Sequence, residues 1–183
     1  MDIKKELRKY INDNLKEKKQ RKFSFFEKIM SLSEEDIDDL DYSMANSKSI
    51  DTSYQASNAN NIESFLNQQD KYSDFQTLLF KFIDKKELKD ADVYNKVHID
   101  RRLFSKIKSD KNYHPSKETV ILFGIALELT EDELEDLLEA ASYSLPKNNT
   151  YDLIIRFCFI NKIFNVLDIN DLLYEYGCKV FSY

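Results

Sequence analysis

Two glycines and two prolines in 183 residues leave this chain almost without the chemistry of tight turns. Sheets joined by hairpins need residues that accept positive φ, Asn-Gly or Asp-Gly above all, and neither dipeptide occurs between alternating apolar runs. With 42% hydrophobic and 33% charged residues the composition is globular rather than disordered. The expected fold class is therefore all-α. The length suits one ordinary domain with a small appendage.

Apolar spacing predicts where the helices lie. Ile3, Leu7, Tyr10, Ile11 and Leu15 recur at helical intervals, giving an amphipathic first helix with a basic face. After Phe23 to Met30, Ser33 with Asp36 three residues on resembles a capping box and predicts a second helix, so that residues 1–45 form a charged helical hairpin. Residues 46–60, rich in Asn and Ser and without periodicity, read as a linker. The main domain then occupies 61–183, with C-terminal helices over 148–183. Within it the stripe Phe75, Leu78, Leu79, Phe82 and Ile83 marks one helix, DADVYNKV a short second, and Asp100 caps a third over 100–108. Pro115 and Ser116 open the apolar VILFGIALEL helix, and Thr130 caps EDELEDLLEAA, whose acidic first turn suits the helix dipole. Tyr151 to Phe164 reads as a helix apolar on most sides, followed by a short last one in DINDLLYEYG. A helix with so little polar face must be covered all round, by this domain or by a second copy of the chain.

The whole chain carries −6, but the charge is laid out in blocks. Residues 4–22 hold nine basic against three acidic residues, and 23–45 hold seven acidic against one basic. We expect these neighbouring blocks to pair within the chain; as an alternative the basic helix is an arm for phosphate. From Lys96 to Lys117 seven bases oppose two acids, a local +5, and from Glu118 to Glu139 there are eight acids and no base.

The order of segments from Asp74 to Ser142, and most specifically the joint spacing of Ile99, Asp100, Ser105, Ile107, Pro115, Ser116 and Thr119, resembles the Cro and lambda-repressor (XRE) class of helix-turn-helix proteins. The resemblance covers about seventy residues and implies a five-helix repressor-type domain, core 73–142, whose recognition helix enters the major groove. In that frame Leu103, Phe104 and Ile107 anchor the helix. Arg101, Arg102 and Lys106 face base edges, and Lys96, Lys108, Lys111 and Lys117 face phosphate. Family members usually carry a small residue and a glycine where this chain has Tyr94 and His98. The fragment from Phe75 to Tyr176 also looks, more loosely, like a helical module sometimes fused behind macrodomain proteins in low-GC Gram-positive bacteria.

The function expected from this resemblance is a cytoplasmic transcription regulator of prophage or mobile-element type. The alternative is a non-enzymatic adaptor or inhibitor that keeps the scaffold and binds a partner through the N-terminal hairpin. Candidate partners are accordingly double-stranded DNA, a second copy of the chain as a homodimer, and a protein held by residues 1–45. No membrane partner is expected: MDIKKELRKY has no signal-peptide apolar region, and no segment reaches the ~18 apolar residues of a span. His98, His114, Cys158 and Cys178 lack nucleophile or metal-ligand spacing, so neither catalysis, a cofactor nor a metal is expected. The acidic clusters lack the alternating oxygen ligands and central Gly of a calcium loop.

Overall fold

A computed structural model of the chain describes residues 2–30 and 74–182, the first stretch with side chains as far as residue 16. Eight helices and no strand occur among the described residues. They are α1 (Ile3–Met30), α2 (Phe75–Lys85), α3 (Asp90–Lys96), α4 (Arg101–Ser109), α5 (Lys117–Ala126), α6 (Glu131–Ala140), α7 (Thr150–Ile160) and α8 (Val166–Glu175).

Most of these helices start on a side chain that accepts a hydrogen bond from the first turn. Asp74, Asp100, Ser116, Asn149 and Asn165 each cap the helix that follows, and Thr130 with Glu133 completes a reciprocal capping box at α6. How they stop is less usual. Glu87, His98, Glu128, Ser142, Lys162 and Gly177 all have φ between 48° and 65°, and each directly follows the C-cap of a helix. The next residue folds back: the N–H groups of Leu88, Ile99, Leu129, Tyr143, Ile163 and Cys178 donate to the carbonyls of Ile83, Tyr94, Gly124, Leu138, Cys158 and Leu173, at 2.8 to 3.2 Å. These are Schellman endings, and a non-glycine residue in five of them accepts a left-handed backbone at about 1 kcal/mol each. At two of these corners the reversal also pulls the next residue, Ile99 or Leu129, into the core, while Leu88 stays exposed. A chain nearly without glycine thus turns its corners on non-glycine residues closed by backbone hydrogen bonds.

The core centres on α5, in which every residue from Val120 to Ala126 is buried. Phe123 is fully enclosed, with Phe75 and Phe104 rings 6.3 and 5.9 Å from it, so α2 and α4 are both held to α5 through one side chain. Helix α6 packs on α2, α5 and α7, and α8 packs on α7. Gly124 is required by that closeness: a Cβ there would stand 2.7 Å from Leu134 Cδ1 and 3.1 Å from the Phe159 ring.

Residues Met1–Leu15 and Ser73–Tyr183 form one compact unit, and Lys16–Tyr72 a second. The expected boundary at 45 to 61 lies outside the described residues. The first turns of α1 belong to the main body because their apolar stripe is buried there: Leu7 and Ile11 are in the core, and Tyr10 meets the Phe157 ring at 5.6 Å. Lys4 and Arg8 pair with Glu175 of α8, at 2.9 and 3.6 Å; the side chains of the acidic block 23–45 lie outside the described residues. The expected second hairpin helix at Ser33 and the linker 46–60 lie outside the described residues.

Helix α7 ends at Ile160, four residues before the expected Phe164, because Lys162 turns left-handed and Asn165 caps α8. Leu153 to Phe159 are all buried within the chain, while Ile160 at the end of the helix is exposed. Its two buried polar residues are both engaged. Asp152 takes Lys117 and Asn149, while Arg156 donates to the Leu145 carbonyl and pairs with Glu131 and Glu135 of α6. Burial opposes the Arg156 charge, yet the two bonded carboxylates outweigh it and hold the guanidinium above its usual range. No described helix is long and apolar enough to cross a membrane.

Candidate nucleic-acid interface

Helices α3 and α4 are joined by residues 97–100. The reversal is made by His98 at φ 55°, whose N–H donates to the Asn95 carbonyl at 3.2 Å, and by Ile99, whose N–H reaches Tyr94 at 2.9 Å. His is among the few non-glycine residues enriched at such an angle. Tyr94 lies half-buried with its ring 5.4 Å from that of Phe104, tilted by 51°, so it serves as packing between α3 and α4.

Helix α4 is amphipathic in a way that separates anchor from surface. Phe104 and Ile107 are buried and Leu103 is half-buried, whereas Arg101, Arg102, Ser105, Lys106 and Lys108 are exposed. Asp100 accepts the Arg102 N–H at 2.6 Å and starts the helix with both arginines in its first turn. The far end is held from α2: the Gln76 amide donates to the carbonyls of Ile107 and Lys108, at 2.8 and 2.6 Å.

The seven basic candidates separate into two groups by their partners. Lys96 pairs with Glu128 at 2.5 Å, Lys108 with Asp90 at 2.6 Å, and Lys117 with Asp152 at 2.6 Å. Lys96 also stands in the last turn of α3, where a cation complements the helix dipole. It lines a groove of about 550 Å³ with His98, Glu128, Lys162, Phe164 and Leu167, a place where the C-terminal ends of α3, α5 and α7 meet. Arg101, Arg102, Lys106 and Lys111 have no carboxylate partner among the described residues. Lys106 instead lies over the Tyr113 ring, 4.8 Å from its centre, and so tethers the loop 110–114 to α4. That loop is also fixed at its end, where Tyr143 donates to the Pro115 carbonyl at 3.1 Å and meets the His114 ring edge-on.

Opposing charge is close by. Asp90 and Asp92 stand in the first turn of α3, and Asp90 is the partner of Lys108. Sequence spacing placed the basic residues on α4 and its flanks, but it gave no sign of which lysines were already paired. It also missed Gln76, since a contact across 31 residues leaves no local signal. Among the described residues no three of His, Cys, Asp and Glu could together hold a metal ion. No family model matches the chain, and comparison with curated proteins and with solved structures returns no match.

Proposed function

We propose that the chain is a small DNA-binding regulator of the prophage or mobile-element kind, with α4 as the helix that enters the major groove. The observation that carries this reading is the pair Arg101 and Arg102, exposed in the first turn of α4 and unpaired among the described residues. Arginine at the leading end of a groove-sized helix can bond guanine O6 and N7 with both arms of its guanidinium. The buried Phe104 and Ile107 behind it supply the rigid mount such a contact needs. Lys106 stays with the arginines as a base-facing candidate. Among the phosphate candidates Lys111 is the one with no ion pair to break; Lys96, Lys108 and Lys117 would each have to exchange a carboxylate for a phosphate. The test is fluorescence anisotropy against the duplex promoter of its own gene. Tight binding by the wild type and loss of it in Arg101→Ala/Arg102→Ala support the reading; equally weak binding by both at modest salt ends it.

A second reading is an adaptor or inhibitor that keeps this scaffold and binds protein. It is favoured by the carboxylates of Asp90 and Asp92 beside α4 and by the three lysines already paired. In that case a purified partner would bind wild type and Arg101→Ala/Arg102→Ala alike, and neither would prefer duplex DNA to an unrelated polyanion.

A further inference from the structure

We infer that Gln76, on a helix that itself carries no DNA-facing candidate, is the positioning residue that aims α4; this rests on the DNA-binding reading above. A helix leaves its last four carbonyls without intrahelical donors. In α4, the Lys106 carbonyl receives the Asp110 N–H at 2.9 Å, and the next two, Ile107 and Lys108, both receive the single Gln76 amide. A side chain from α2 thereby closes the end of α4, and no backbone N–H of the following loop does so for those two groups.

The bond is also a direction. Lys108 on the same last turn reaches Asp90 of α3 at 2.6 Å, and its ammonium lies 5.3 Å from the centre of the Phe80 ring of α2. Phe80 in turn meets Phe104 of α4 edge-on at 5.9 Å. The C-terminal half of α4 is therefore held on two sides, by Gln76 and Phe80 from α2 and by Asp90 from α3, while the N-terminal half carries Arg101 and Arg102 outward. Side chains that read base edges tolerate about half an ångström of misplacement. Without the Gln76 bonds the tilt of this nine-residue helix would rest on the buried Phe104 and Ile107 and on the Phe80 and Asp90 contacts.

Gln76 acts as a donor, so shape and hydrogen bonding can be separated. Gln76→Glu keeps the size but presents an acceptor to two carbonyls, and Gln76→Lys restores a donor whose charge suits a helix C-terminus. Amide hydrogen exchange reads α4 without any ligand, and anisotropy at several salt concentrations reads binding to the promoter duplex. We expect Gln76→Glu to speed exchange of the Lys106 to Asp110 amides while the amides of α5 keep wild-type rates. Its affinity for the duplex should fall about tenfold at an unchanged salt slope, because no phosphate contact is removed. Gln76→Lys should recover most of both. If Gln76→Glu is as slow in exchange and as tight on DNA as the wild type, or if its loss of affinity only follows loss of folded protein across the whole body, Gln76 does not aim α4. If the wild type itself binds the duplex no better than Arg101→Ala/Arg102→Ala, the DNA reading has failed and the role of Gln76 falls with it, whatever the exchange shows.

Discussion

The Lys117 ammonium lies 2.6 Å from a carboxylate oxygen of Asp152 that is 1% exposed, and this pair ties the start of α5 to the start of α7. Asn149 bonds the other oxygen at 2.6 Å, so the carboxylate is compensated only while Lys117 is present. Lys117 therefore works mainly for the fold, although its sequence position matches a phosphate contact. Lys117→Ala should destabilise the protein by about 2 to 4 kcal/mol, the cost of stranding a buried charge. Lys111→Ala, on an exposed side chain with no ion pair among the described residues, should leave stability within about 0.5 kcal/mol and weaken DNA binding instead. Urea unfolding of the two variants beside a DNA titration checks the contrast; equal stability losses would contradict it.

The left-handed helix endings give a second prediction. Ser142 is exposed at φ 59° after α6, where glycine would carry no steric penalty. Ser142→Gly should raise stability by about 0.5 to 1 kcal/mol, offset in part by the extra freedom of the unfolded chain. Gly177 at φ 65° is the reciprocal case, and Gly177→Ala should lower stability by about 1 kcal/mol. Thermal melts of the two variants should move in opposite directions.

The helical class and most helix starts were legible in the sequence, because caps and apolar periodicity are local: Asp100, Ser116 and Thr130 all stand where they were expected. The helix ends were less so. Lys162 and Glu128 carry no mark of a left-handed turn, and the turn at Lys162 lies inside an apolar run, which is why the sequence pattern carries α7 on to Phe164. The basic candidates were legible as charges and not as partners. Lys96 with Glu128 and Lys117 with Asp152 are pairs across 32 and 35 residues, settled by packing alone.

Cys158 supplies a pH-dependent test of the core. It is fully buried in α7, and that burial pushes its thiol up to about 12. The folded state then holds this proton where the unfolded chain releases it, so its contribution is intact below the usual thiol value and is lost as pH rises from there towards 12. Burial raises Tyr10 and Tyr151 in the same sense. The midpoint of urea unfolding should fall above pH 9, less steeply in Cys158→Ala, and native Cys158 should resist alkylation at pH 8 until the protein unfolds. Alkylation of the native thiol at the unfolded rate would contradict the packing of α7.

DNA binding by α4 is the central claim, and promoter affinity of the wild type and of Arg101→Ala/Arg102→Ala, read at several salt concentrations, tests it most directly. Lys111, the phosphate candidate with no ion pair among the described residues, predicts a slope of log affinity on log salt of about −1, deepening to about −3 as Lys96 and Lys108 exchange carboxylate for phosphate. Arg101→Ala/Arg102→Ala should lose at least about tenfold in affinity at a nearly unchanged slope, because it removes base contacts, and it should no longer distinguish the promoter from unrelated duplex. A wild-type chain whose affinity is the same as that of Arg101→Ala/Arg102→Ala, with no preference for its promoter, would contradict the account.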